Sequence, residues 1–349
     1  MDDLVSVIVP IYNMASSIKM CVKALQEQDY PYIEIILVDD GSKDDTYEIC
    51  KSIEAEDSRI RTIHTENRGS GPARNAGIEA AKGKYAYFPD ADDYLEPYAI
   101  TKMVEGMCDD KYDLVVFGFR NVDQQGKITL EKTYEESDQC ANKIRKNYKD
   151  YMGYTSKWGI QGAPWNKFFN LEKIKGNGIE YPALRRHQDE GFIGRYMCHV
   201  KRVHFLPYVL YTYYTNDLKK EWQKYPVDYI DAVIGLKNVR KETIYTWNEK
   251  DTATHEMLAN EYICNVIKAL ELSFSPKMKL DGQKRKRWIA NAIKKSGIKD
   301  VMIPGVTGSY QRLALKLIQR DSLAMLYYYF LIKVKIEGTK VYSSVRKTK

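Results

Sequence analysis

The chain has 349 residues, enough for one sizeable α/β domain with an appendage or for two modest domains. With 44% apolar and 29% charged residues it is not a disordered chain, and no apolar run approaches the roughly 20 residues of a membrane span. The net charge of +7 is unevenly spread: residues 282–349 hold 16 lysines and arginines against 3 acids, which leaves the first 281 residues at −6. An acidic body with a basic tail predicts an anionic partner for the tail alone, with nucleic acid, anionic lipid and phosphate-bearing polymers all open on charge.

After Met-Asp-Asp-Leu, residues Val5–Ile11 are too short for a signal-peptide core and read as a strand. Ser16 and Ser17 open a helix to about Gln28. Ile33–Val38 is a second strand, and Asp44 and Asp45 open a helix to about Ala55. Ile60–His64 is a short strand and Pro72–Ala81 a helix. Tyr85–Phe88 is a fourth strand, Pro97 starts a helix, and Asp113–Phe117 is a fifth strand. Short β-branched strands alternating with helices of about 10–15 residues predict a parallel, doubly wound sheet. Beyond Gly118 the pattern changes to a polar hairpin at Gln124–Gly126, a helix over Ala141–Met152, and a Trp/Tyr-rich stretch to Tyr214. Lys219–Ser275, Lys284–Lys295 and Ser309–Lys335 read as helical, with the breaker-rich connector Ile303–Gly308 before the last. The boundary is therefore placed near residue 220, with a domain over 1–220 and a helical, basic module over 221–349. The six cysteines lie far apart with no CxxC pair or zinc spacing, which predicts reduced, mostly buried thiols in a cytoplasmic protein.

In an open parallel sheet, ligands bind beyond the carboxyl ends of the strands. Those positions hold Pro10-Ile11-Tyr12-Asn13, Asp39–Asp44, Glu66–Asn75 and Pro89–Asp93, so four polar clusters would meet on one rim. Neither glycine-bearing loop is a standard phosphate cradle. Gly69-Ser-Gly71 lacks the third glycine of a dinucleotide fingerprint, and no GxxxxGK[ST] occurs. Asp90-Ala91-Asp92 puts two carboxylates one residue apart at a strand end. There one can reach a divalent cation and the other a ribose hydroxyl, and hard oxygen ligands suit Mg²⁺ or Mn²⁺ on a diphosphate. Taken alone, the same doublet is also compatible with a solvated turn.

Four segments, Val5–Asn13, Val38–Asp44, Asn67–Gly77 and Gly83–Asp93, closely resemble family 2 glycosyltransferases in the order and spacing of their motifs. The resemblance is strong over residues 4–120. It implies the GT-A fold, a Rossmann-like, mostly parallel sheet flanked by helices, here with a helical C-terminal module. It further implies inverting transfer of a sugar, a hexose or N-acetylhexosamine, from a nucleotide-diphosphate donor, most often a UDP-sugar. By that resemblance the nucleotide-sugar set is Pro10, Tyr12, Asn13, Asp40, Asn67, Arg74, Asp90 and Ala91. Pro10 and Tyr12 would line the base pocket, Asp40 would accept from the base, Asn67 and Arg74 would contact base or diphosphate, and Asp90 would sit by the ribose. Asp92 would ligate Mn²⁺ or Mg²⁺. Arg74 is otherwise readable as a surface ion pair.

The family's acidic pair at the start of a helix has its counterpart in Gln188-Asp189-Glu190-Gly191-Phe192, with Gln in place of the usual Glu. Asp189 is the expected general base and Glu190 the alternative; an ordinary N-cap is the structural reading. Trp165-Asn166-Lys167 resembles the family's acceptor segment, placing Trp165 and Lys167 beneath the acceptor, although Trp165 suits a core equally well. His204, in a strand, reads as structural. The family often builds bacterial capsule, cell-wall polysaccharide or teichoic acid on glycan or lipid-linked acceptors at the cytoplasmic leaflet. The basic tail then predicts either membrane-surface contact or packing on the main domain or a second subunit. No nucleic-acid reader motif is present, so nucleic acid is excluded as a partner. Nucleotidyltransferases are disfavoured because their glycine-rich, basic signature is missing after the first strand. A catalytically inactive, glycosyltransferase-like carbohydrate-binding or scaffold subunit is the remaining alternative, raised by Gln188.

Overall fold

A computed structural model describes residues 3–151, 159–160, 162–215, 226–301 and 308–337. The chain divides into two compact units, Met1–Leu218 with Lys241–Glu249, and Lys219–Arg240 with Lys250–Lys349.

The first unit is built on a ten-stranded mixed sheet. β1 (Val5–Ile11) and β2 (Ile33–Asp39) are almost wholly buried apolar runs, as expected of central strands covered on both faces. They pair in parallel from Val5↔Ile33 to Ile11↔Asp39; β3 (Ile60–His64) extends them beyond β2, and β4 (Tyr85–Tyr87) lies parallel on the other side of β1. Helices α1 (Ile18–Gln26), α2 (Thr46–Glu56) and α3 (Ser70–Ala80) connect these strands. α3 crosses the sheet closely because residue 77 is glycine: a Cβ there would lie 2.3 Å from Ile8 Cγ2 and 3.3 Å from Val38 Cγ2.

The remaining strands depart from simple parallel winding. After β5 (Tyr94–Leu95) and α4 (Ala99–Met107), β6 (Leu114–Val122) turns at Gly126 into the hairpin strand β7 (Ile128–Lys132). β8 (Ser137–Cys140), the short helices α5 (Ala141–Arg145) and α6 (Tyr148–Tyr151), and β9 (Lys167–Asn170) follow. β9 runs antiparallel between β4 and β6, with Tyr87↔Phe168 and Val116↔Lys167. Being reversed, β9 begins where β4 ends, which delivers Trp165 and Lys167 to the same rim as the loop after β4. α7 (Leu171–Gly176) and α8 (Gln188–Met197) lead to β10 (Arg202–Tyr214), which is parallel to β6 and antiparallel to β5 and β8. The strand order is β3-β2-β1-β4-β9-β6-β10-β5. This is the expected GT-A arrangement of a sheet between helices, with the later strands reversed in part.

The second unit is helical. It contains the start of α9 (Tyr229–Thr246), then α10 (Thr252–Glu271), α11 (Gly282–Ser296), α12 (Ser309–Gln319) and α13 (Leu323–Glu337). Asp251 and Asp281 cap α10 and α11, accepting from the N–H groups of Ala253 and Thr254, and of Lys284. Ile263, Val266, Leu270, Ile289, Ala314, Leu326 and Phe330 form its core. The single helix expected over 309–335 is two, because Asp321 adopts a left-handed φ of 54° and the Ser322 N–H turns back to Leu317 O. The helix expected over 141–152 breaks after Arg145; residue 152 and most of the Ile303–Gly308 connector lie outside the described residues.

Among the described residues, no helix is long and apolar enough to cross a membrane. All six cysteines are free, but only Cys21 and Cys50 are buried, so the thiols are not mostly buried as expected. Cys108 caps α4 and Cys140 ends β8, and both positions face solvent.

Candidate active site

The loops after β1 and β2 are fastened to each other. Asn13, at a left-handed φ of 52°, accepts the Lys43 N–H at 2.8 Å through its side chain, and its own N–H donates to Ser42 Oγ at 2.9 Å. Asp39 is fully buried, accepts the Ser42 N–H and meets His64 Nδ1 at 2.6 Å. Asp40 accepts the N–H groups of Arg68 and Gly69 at 2.9 and 2.8 Å, which holds the loop bearing the exposed Asn67. Gly41 is required here: its φ is +67° and a Cβ would lie 2.8 Å from Asn67 N.

Pro10, Ile11, Tyr12, Met14, Asp40, Ser70, Asp90, Ala91 and Asp92 line one cavity of about 270 Å³. The sequence assigns a site role to six of these residues and none to Ile11, Met14 and Ser70. Asn13 and Asn67 lie on the flanking loops.

Arg74 lies below the rim, only 3% exposed, rather than open to it. Nη2 donates to Asp90 Oδ1 at 2.7 Å and Nη1 to Asp189 Oδ1 at 3.0 Å, while the guanidinium stands 5.4 Å from the Tyr181 ring centre. It is therefore neither the surface ion pair nor the exposed phosphate contact that sequence alone offers. It is a buried bridge between the carboxylate expected beside the donor and the one expected beside the acceptor. Its buried Nε has no partner among the described residues. Burial opposes the guanidinium's charge, but Asp189 and Asp90 more than offset it and hold the proton on.

Asp189 stands in the first turn of α8, where the helix dipole favours its charge. Its pKa is nevertheless raised, by burial first, with Arg74 opposing, Asp90 adding and Lys167 opposing. Glu190 beside it is buried, whereas Asp189 is half-buried and is the one that pairs with Arg74. Gln188 donates to Ser70 Oγ at 2.7 Å, so α8 is tied to the N-terminus of α3 and to the cavity wall.

Lys167 is 1% exposed, and its Nζ donates to Ala163 O at 2.8 Å and Asn166 Oδ1 at 2.7 Å. Burial pushes its pKa down to about 7, against the pull of Asp189. Trp165 stacks on Tyr211, with ring centres 4.8 Å apart at 8°, and on Tyr213, and meets Phe119 edge-on. Its stacking partners are thus aromatic rings of the protein itself. His204 is structural: Nδ1 lies 2.8 Å from Gly106 O and the ring stacks on Tyr112.

Asp92 is the half-buried carboxylate of the acidic loop on the cavity wall. Burial and then Asp90 raise its pKa, and no hydrogen bond or ion pair to another described residue engages its carboxylate. Asp93, which sequence reasoning left without a role, is pushed up to about 8 by burial and by Asp90. Among the described residues no group of three His, Cys, Asp or Glu side chains forms a ready-made metal cage. A divalent ion of the Mg²⁺ type takes one or two protein carboxylates and completes its shell with phosphates and water. An unpaired carboxylate on a cavity wall meets that requirement.

A helix-flanked mixed sheet with an acidic loop at its rim, bridged to a second carboxylate at a helix start, is the arrangement expected of the GT-A fold. The profile described as Glycosyl transferase family 2 matches residues 6–161. The glycosyltransferase GlyG of Streptococcus pneumoniae is 31% identical over 218 residues, 61% of this chain and 71% of GlyG. EpsH of Bacillus subtilis is 29% identical over 225 residues, 63% of this chain but just under two thirds of EpsH, at 64%. The chain belongs to glycosyl transferase family 2. Among solved structures, TarS residues 1–349 from S. aureus share the fold with a TM-score of 0.63 at 19% identity, covering 96% of this chain and 92% of that one.

Proposed function

We propose that the rim is the catalytic centre of an inverting transferase. It moves a hexose or N-acetylhexosamine from a UDP-sugar to a hydroxyl of a glycan or lipid-linked acceptor, in assembly of a bacterial capsule, cell-wall polysaccharide or teichoic acid. The observation that carries this reading is the Arg74 bridge, which puts Asp90 and Asp189 on one guanidinium. The fold neighbour TarS is described in complex with UDP and with UDP-GlcNAc, and a mannosyltransferase from Pyrobaculum calidifontis, TM-score 0.53 at 15% identity, in complex with GDP-Man and Mn²⁺. Both support a nucleotide sugar at this rim.

In this reading Pro10 and Tyr12 flank the base, Asp40 accepts from it, and Asn13 and Asn67 hold the loops around it. Asp90 takes the ribose, and Asp92 holds Mn²⁺ or Mg²⁺. When bound, such an ion offsets charge on the departing diphosphate. Arg74 holds Asp90 and Asp189 in register, one on each terminal nitrogen. Asp189, its pKa drawn up by burial, accepts the proton of the acceptor hydroxyl as that oxygen attacks the anomeric carbon opposite the diphosphate. Trp165 and Lys167 form the floor on the acceptor side. Transfer assays with a panel of nucleotide sugars test this: Asp189→Asn is expected to lose about 10²–10⁴-fold in turnover while binding UDP as before. Undiminished turnover by Asp189→Asn would move the base to Glu190. Complete absence of both transfer and donor hydrolysis in the wild type would favour the inactive-subunit alternative.

For the second unit we propose contact with the anionic inner face of a membrane. On α13, Met325, Tyr328, Ile332 and Ile336 are exposed on one helical stripe, with Lys335 among them and Lys286 Nζ 5.6 Å from the Tyr328 ring centre. Apolar residues rimmed by cations suit a lipid interface.

A further inference from the structure

The loop that carries Asp92 is held by one phenol. Tyr211 on β10 is buried, and its hydroxyl makes two bonds to the loop: it accepts the Asp90 N–H at 3.1 Å and donates to Asp93 Oδ2 at 2.7 Å. The other oxygen of Asp93 accepts the Tyr214 N–H at 2.9 Å. Both ends of the segment Asp90–Asp93 are thereby tied to a single strand, and the Asp93 N–H closes the turn on Asp90 O at 3.4 Å. Ala91 and Asp92 lie between the ties.

The phenol itself cannot easily shift. Its ring stacks on Trp165, and its backbone sits in register with Phe119 on β6 and Leu95 on β5. Tyr87 adds a second link, donating its hydroxyl to Trp165 O at 2.9 Å. A carboxylate that must meet an ion is worth most when its backbone is already in place, and partners one bond removed from a ligand set its aim. Nothing in the local sequence marks Tyr211 for this task, because it lies 121 residues from Asp90.

We infer that Tyr211 is a positioning residue for the acidic loop, acting through its hydroxyl on the ion-dependent part of nucleotide-diphosphate binding and leaving the base pocket alone. This rests on the proposed metal role of Asp92. The test is calorimetric titration of UDP into the full chain, with Mn²⁺ and separately with EDTA. Tyr211→Phe keeps the ring and its stack and removes only the hydroxyl. Its UDP affinity is expected to fall about 10–100-fold with Mn²⁺ and to match the wild type in EDTA. Should that variant fold poorly, Asp93→Ala serves, since it leaves no side-chain partner for the Tyr211 hydroxyl at that end of the loop; the same selective loss is expected. An equal loss in both conditions, or no loss in either, would overturn the inference. Wild-type affinity that is the same in Mn²⁺ and in EDTA would instead remove the metal role, and the inference with it.

Discussion

Lysine is among the residues least often found fully buried, so Lys167 is costly wherever it carries charge. Its two bonds, to Ala163 O and Asn166 Oδ1, are to neutral acceptors, and burial holds its pKa near 7 instead of 10.5. Between those values the unfolded chain carries the proton and the folded chain does not. Stability therefore rises with pH through that window and the penalty is complete below it. The difference in melting temperature between wild type and Lys167→Met is expected to grow in favour of the wild type from pH 7 to pH 10. A difference that stays constant with pH would show that Lys167 titrates normally. The lysine itself could be picked out in the sequence by its place after Trp165, but its burial could not, since that depends on β9 being inserted between two strands distant in the chain.

At the scale of elements, the sequence pattern was readable where structure is local. β1 to β4 and α1 to α3 follow from apolar runs of strand length and from glycine, proline and acidic residues at their ends, and the cavity residues fall at or just beyond the carboxyl ends of β1, β2 and β4 and at the start of α3. The reversal of β9 was not readable, because its partners Tyr85–Tyr87 and Leu114–Val116 are far from it in sequence and antiparallel pairing leaves no local mark. For the same reason Tyr211 and the Gln188–Ser70 tie leave no mark in the sequence, and neither does the burial of Arg74 between Asp90 and Asp189. Packing makes a sharper prediction at α3. Gly77→Ala forces a Cβ to within 2.3 Å of Ile8 Cγ2, between two elements that have no slack. It is expected to destabilise the chain by about 1–3 kcal/mol in urea unfolding. Pairing it with Ile8→Ala should cost less than the sum of the two single changes, because the clash is relieved; strict additivity would mean that α3 accommodates the methyl group by moving.

For the molecule as a whole, the basic C-terminal helices bury one face in the second unit's core and expose another, for which membrane contact is proposed. Leu326 and Phe330 are fully buried in the second unit's core, so deleting α12 and α13 would unfold it and reveal nothing about membranes. The exposed stripe can be altered without that cost. Replacing Met325, Ile332 and Ile336 by serine is expected to abolish flotation with vesicles containing anionic lipid while leaving the melting temperature within a few degrees, as is usual for surface changes. Flotation unchanged by the replacements would remove the membrane contact. Loss of a dimer in sedimentation, with no vesicle binding by the wild type, would assign the stripe to a second copy of the chain.

In the proposed function a nucleotide diphosphate and a divalent ion meet at the rim where β1, β2 and β4 end and β9 begins. The most direct measurement is titration of UDP into the wild type and into Asp92→Ala, each with Mn²⁺ and with EDTA. Binding by the wild type that strengthens with Mn²⁺, together with an Asp92→Ala variant that binds equally weakly in both conditions, is the predicted result. An Asp92→Ala variant that keeps the full response to Mn²⁺, or a wild type that does not bind UDP at all, would contradict it.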